Sequence, residues 1–133
     1  MSNKSDGNKL ESLVCQELKK RGWWSHNFAA NASGQPMDII ACKNGFAYLI
    51  DCKSCLSKGF TVKRVEDNQR HAIEAFVKAG NKDGFFLLAT PDGEWYMFTL
   101  STIDVAKTLK IADIKNLGIP FERWCENSEN GHI

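Results

Sequence analysis

Between Asp38 and Lys53 the chain reads DIIACKNGFAYLIDCK, two apolar runs joined by Asn44-Gly45. An Asn-Gly pair flanked by such runs is the strongest local signal for a two-residue type I′ hairpin. With that loop Lys43 faces Phe46, and counting back along the ladder sets Asp38 directly opposite Asp51. Facing side chains lie about 4.5–5.5 Å apart at Cβ, where like charges repel. A divalent cation between the two carboxylates turns that repulsion into ligation, because hard cations take oxygen ligands. Lys53, two residues past Asp51, leaves the strand on the same face. Ile40 and Leu49 share this face, while Ile39, Ala41, Tyr48 and Ile50 occupy the other. Both sides are therefore apolar, as in a sheet covered by helices. Charges in such strands are costly unless they serve a purpose. Two acids and a lysine at one edge of this hairpin point to metal-dependent phosphodiester chemistry.

The rest of the chain supplies the cover. Leu10, Leu13, Val14 and Leu18 make an apolar stripe that predicts a helix over Lys9 to Lys20, with Gly22 as its terminator. A first strand is expected over Trp23 to Ala30, and a small-residue loop over Asn31 to Pro36. Past Lys53 the run SCLSKGFTVKR reads as a flexible basic stretch. A second helix spans about Val65 to Ala79, strands follow over Gly84 to Thr90 and Glu94 to Leu100, and Ser101 or Thr102 caps a third helix through Leu109. From Glu126 the ending is polar and expected to fray. This αβββαββα order predicts an α/β fold with a central mixed β-sheet of about five strands flanked by helices.

At 133 residues the chain suits a single domain, with its core over about 5–110 and a polar tail over 126–133. Five cysteines scattered through apolar segments fit reduced thiols and a cytoplasmic setting better than a disulfide framework. No signal-peptide pattern occurs, and no apolar run is long enough to cross a membrane. Residues 1–64 hold ten Lys/Arg against five Asp/Glu, whereas 65–133 hold seven against eleven. The basic half contains the paired acids, which suits a polyanion approaching from one side.

Two polar residues interrupt apolar helix faces. Glu11 lies at the edge of the first stripe, and Gln69 lies between Val65, Ile73 and Phe76. A buried polar group needs a partner, and the hairpin acids are candidates for both. The simpler alternatives are a glutamate favoured by the helix dipole and a core amide bonded to backbone.

Taken together, Glu11, the run Ser33-Gly34-Gln35-Pro36-Met37-Asp38-Ile39-Ile40-Ala41, and Tyr48-Leu49-Ile50-Asp51-Cys52-Lys53-Ser54 resemble the PD-(D/E)XK nuclease superfamily. Within it the chain is most similar to Holliday junction resolvases, of the archaeal and the RecU types. The resemblance spans about residues 5–100. Asp51 stands where those resolvases usually carry Glu, and one residue separates Pro36 from Asp38. The short segment from His26 to Asp38 has no room for the RecU stalk, so the compact archaeal type is the nearer analogue.

The resemblance implies a restriction-endonuclease-like core and a Mg²⁺-dependent endodeoxyribonuclease, with Mn²⁺ able to substitute. Its metal ligands would be Asp38, Asp51, the Cys52 backbone carbonyl and Glu11. Lys53 would act on the attacking water or the phosphate, Ser33 on the scissile-strand phosphate, and Gln69 on Lys53 or a water. Lys58, Lys63, Arg64 and Arg70 would grip the DNA backbone. Resolution of a four-way junction by paired symmetric nicks implies a homodimer, and the aromatic run Trp95-Tyr96-Met97-Phe98 is either its face or simply core. Other substrates (flaps, mismatches, plain duplex) and a non-catalytic DNA-binding module are the alternatives. A separate chemistry is raised by Cys52-Lys53-Ser54-Cys55, a C-x-x-C that in other settings is a redox centre. The loop-like residues after it, and a Cys52 that should face the core, argue against that role.

Overall fold

The computed structural model describes residues 3–28 and 35–132. Helix α1 (Asn3–Lys20) opens the chain, and β1 (Trp24–Asn27) follows. Leu10, Val14 and Leu18 form the buried ridge of α1, whereas Leu13 stays exposed. Gly22, at φ 83°, closes the helix as expected, while the Trp23 N–H donates back to the Leu18 carbonyl at 3.0 Å.

The hairpin comprises β2 (Ile39–Lys43) and β3 (Phe46–Ser54). Asn44 and Gly45 both take positive φ, 54° and 84°, the type I′ signature. The ladder pairs Lys43 with Phe46 and Ile39 with Ile50. Asp38, one residue before β2, therefore lies level with Asp51.

The basic stretch after Lys53 is ordered, against expectation. Its β4 (Phe60–Thr61) pairs with β7 (Thr108–Leu109), and a 3₁₀ turn spans Val62–Arg64. Gly59 shows how tightly it is held. Its φ is 84°, and a Cβ there would stand 2.0 Å from the Leu109 carbonyl oxygen.

Helix α2 (Asp67–Lys78) is followed by β5 (Asp83–Ala89) and β6 (Trp95–Thr99). Helix α3 (Leu100–Ala106) begins without a loop. Its cap is therefore the last strand residue, Thr99, whose hydroxyl accepts the Thr102 N–H, rather than Ser101 or Thr102. The chain then forms α4 (Ile111–Leu117), β8 (Ile119–Pro120) and α5 (Phe121–Ser128).

Among the described residues, six strands form the main sheet in the order β1-β2-β3-β5-β6-β8, with β4 and β7 a separate pair. Only β3 and β5 run parallel within it; the other pairs are antiparallel. The sheet is thus mixed, as expected, with one strand more than anticipated. Strand alternation splits the interior in two. Ile39, Tyr48, Ile50, Phe85 and Leu87 pack under α1 and α5, whereas Leu49, Phe86, Leu88 and Phe98 pack under α2, α3 and α4.

The chain's ending departs most from expectation. In place of a fraying polar tail, the residues from Glu126 continue α5 to a buried Ser128, and the same helix sets Trp124 in complete burial. Trp124 stacks on Trp23 at 5.4 Å and meets Tyr48 and Phe85 edge-on at 5.2 and 5.4 Å. The Tyr48 hydroxyl donates to the Ser128 carbonyl at 2.8 Å, binding the ending to the hairpin. Tyr96, Met97 and Phe98 are likewise buried, with β6 sheltered between β5 and β8. That aromatic strand is core and does not offer a dimer face.

Candidate active site

Asp38 is the hub. Its Oδ2 accepts the Cys52 N–H at 2.8 Å, a bond from β3 that fixes the carboxylate where β2 begins. From there it lies within hydrogen-bond reach of Glu11 on one side and Asp51 on the other. Glu11 arrives from α1 and Asp51 from β3, and both are buried, at 6% and 3% exposure. Lys53 completes the group, with its Nζ 3.1 Å from Asp51 Oδ2. The ammonium sits off the hydrogen-bond direction, because that oxygen still lacks an aligned donor. Glu11 Oε2 is the other buried carboxylate oxygen with no hydrogen-bond partner among the described residues.

This crowding raises both acids. Burial, then the charge of Asp38 and a hydrogen bond to it, push the Glu11 carboxyl up to about 7. Burial, then Asp38 again, push Asp51 up to about 8, with Lys53 pulling the other way. Such a pair holds its protons to higher pH than ordinary carboxyls, and a bound cation would displace them. Among the described residues no three His, Cys, Asp or Glu side chains make a ready-made metal cage. The donors do fit a hard divalent ion, since two buried carboxylate oxygens lack a hydrogen-bond partner and every side-chain donor is oxygen.

The remaining expectations divide. Gln69 is buried, but its Oε1 accepts the Glu66 N–H at 3.1 Å within a capping box. Helix capping accounts for that oxygen, in line with the simpler reading of a core amide bonded to backbone. Arg70 is also committed elsewhere, forming a two-pronged pair with Asp104 of α3 at 2.7 and 2.9 Å. It ties two helices together and is not free to grip DNA. Lys58, Lys63 and Arg64 are exposed; Arg64 donates to the Ser54 carbonyl at 3.1 Å and lies over the Phe60 ring. Ser33 lies outside the described residues.

The C-x-x-C has no redox geometry. Cys52 belongs to the core under α1 and Cys55 to the core on the opposite side of the sheet. Burial raises both thiols, Cys52 well above its usual range. The sequence reading passed over Trp24 and Phe28, aromatic residues on the sheet face of Asp38. Their signal was the simple alternation in Trp24-Ser25-His26-Asn27-Phe28.

No curated protein sequence matches the chain. Among solved structures it resembles Hjc, a Holliday junction resolvase of the archaeal hyperthermophile Archaeoglobus fulgidus. The TM-score is 0.67 at 17% identity, covering 91% of this chain and 96% of that one. A bacterial homing endonuclease also shares the fold, with TM-score 0.54 and 13% identity over 77% of this chain and 72% of that one. The family model for the archaeal Holliday junction resolvases matches residues 2–133, nearly the whole length. With that match, and with the hairpin acids, helical glutamate and lysine gathered at one strand end, the chain belongs to the archaeal Holliday junction resolvase (Hjc) family.

Proposed function

We infer that the protein is a structure-specific endonuclease that resolves four-way DNA junctions by phosphodiester hydrolysis, at the site built on Asp38. The observation that carries this reading is the convergence of Glu11, Asp38, Asp51 and Lys53 within a chain of this family. A divalent cation, Mg²⁺ with Mn²⁺ as a substitute, would be held by Asp38, Asp51, the Cys52 carbonyl and Glu11 and would supply Lewis-acid polarisation at the scissile phosphate. Asp38 keeps its direction through the Cys52 N–H. Lys53, half-buried and steadied by Asp51, presents a point charge to the phosphorane-like transition state. Ser33 would contact the scissile-strand phosphate, whereas Gln69 serves the helix cap that its oxygen makes. Lys58, Lys63 and Arg64 contact flanking phosphates, which makes binding salt-dependent and largely blind to sequence.

Two symmetric nicks need two sites, and one chain carries one, so the working form is a homodimer. Among the described residues no helix is long and apolar enough to cross a membrane; because the activity is on DNA junctions, we place it in the cytoplasm. The test is cleavage of labelled four-way, flap and linear DNA with Mg²⁺ or EDTA, beside Asp38→Asn. Paired symmetric nicks confined to the four-way junction are expected. EDTA should abolish them, and the substitution should slow them about 10³-fold, or about 4 kcal/mol of barrier. Metal-dependent cutting without preference for the junction would overturn the resolvase reading, and DNA binding without any cutting would overturn the catalytic one.

A further inference from the structure

Trp24 is 61% exposed, an unusual position for so large an aromatic side chain in a sheet. The register says which way it faces. Trp24 pairs with Cys42 and His26 with Ile40, and these continue across to Ala47 and Leu49 of β3. One step further, the Phe28 N–H donates to the Asp38 carbonyl at 2.7 Å, and Asp38 is level with Asp51. Directly paired residues share a face. Trp24, His26 and Phe28 therefore stand in a row on the same sheet face as the two catalytic acids.

Helices α2 and α3 cover that face over β5 and β6, while β1 packs on β2 and, through its other face, on α1. Among the described residues, β1 and the adjoining part of β2 thus leave this face open as a shelf from beside the site to the sheet edge. His26 and Phe28 meet edge to face at 5.0 Å, so these two rings are already set against each other. At about 3.3 Å per residue the row from Phe28 to Trp24 spans about 13 Å. That is about four base steps along a strand at 3.4 Å each.

Resting on the resolvase reading above, we propose that Trp24, with His26 next in the row, is a stacking platform for nucleobases exposed within about four nucleotides of the scissile phosphate. Stacking tolerates any base, because every base has a π-face, and it rewards bases that have left the duplex. A branch point offers such bases and intact duplex does not. The shelf thereby adds selection for DNA structure to a site whose phosphate contacts recognise only charge. Its continuity with Asp38 favours DNA as the occupant over a second copy of this chain, which would engage the strand edge.

The test is binding in EDTA by wild type, Trp24→Ala and Trp24→Phe. The probes are a four-way junction with 2-aminopurine at each of the first four positions from the branch, a duplex of equal length and a short single strand. Trp24→Ala should weaken binding to the junction and the single strand about 10-fold, lose the 2-aminopurine quench, and leave duplex binding and Tm unchanged. Trp24→Phe should stay within about threefold of wild type, since it keeps a ring. Equal binding by wild type and Trp24→Ala, or an equal loss on junction and duplex, overturns the platform. So does a change in oligomeric state by sedimentation, which assigns the shelf to a contact between copies. Failure of the resolvase reading is separable. It shows as wild-type cleavage without junction preference, while the single-strand arm still reports on Trp24.

Discussion

Asp51→Asn should make the metal-free protein more stable at pH 8 while destroying cleavage. Asp51 ionises near 3.8 when unfolded and near 8 when folded, because burial and the Asp38 charge oppose its anion. A carboxyl raised in this way contributes stability that is complete below the unfolded value and is lost as pH climbs through the folded one. Between pH 5 and 8 the ceiling on that loss is about 4 kcal/mol, at 1.36 kcal/mol per pH unit. Coupling of Asp51 to its neighbours makes the realised loss smaller than that ceiling. Asparagine carries no charge to lose. Urea denaturation in EDTA should therefore show wild type weakening more than the variant from pH 5 to pH 8, by a difference of at most about 4 kcal/mol, with the variant's own loss coming from Glu11. Added Mg²⁺ should restore wild type at pH 8 and leave the variant little changed. If the variant is the less stable protein at pH 8 in EDTA, Asp51 is not a repelled buried anion, and the electrostatic account of the site is wrong.

Trp124→Ala should cost about 3–5 kcal/mol, because that ring is wholly enclosed between Trp23, Tyr48, Phe85 and Phe121; urea midpoints measure it, and a loss under 1 kcal/mol would show the ending to be detachable. Arg70→Ala should lower stability by up to about 1 kcal/mol, through the lost Asp104 pair, and leave the salt dependence of DNA binding unchanged; a shallower salt slope would return Arg70 to the DNA contacts.

The hairpin was legible because its information is local. The Asn44-Gly45 turn specifies the register, and the register specifies that Asp38, Asp51 and Lys53 share a face. Glu11 was legible as a polar interruption in an apolar stripe. What the sequence hid depends on contacts between distant segments. The run from Ser57 to Arg64 looks like loop because β4 has only two residues, and its partner β7 lies far along the chain. Helix α5 did not stand out because only Phe121, Trp124, Cys125 and Ser128 point inward, and the polar residues from Glu126 read as a tail. Gln69 and Arg70 were misread for a related reason. A polar residue on an apolar helix face signals a partner but not which one, and their partners are Glu66 and Asp104.

Why the site forms at Asp38 follows from the two-sided sheet. Within the ladder a side chain commits to one face, so Asp51 and Lys53 cannot reach the α1 layer, and Glu11 cannot reach theirs. Asp38 lies one residue outside β2, on the face of Asp51 by register, and the Cys52 N–H from β3 holds its carboxylate at the strand end, within reach of Glu11 as well. It is thus the position from which one carboxylate meets an acid from each layer. Burial first, and the neighbouring Asp38 charge second, then hold the Glu11 and Asp51 carboxyls well above their usual range. A fold optimised for stability alone would have no use for the arrangement. Its stability cost has the same origin as its proposed capacity to hold a cation against DNA, so the pH dependence of the metal-free protein and the metal dependence of cleavage should rise and fall together.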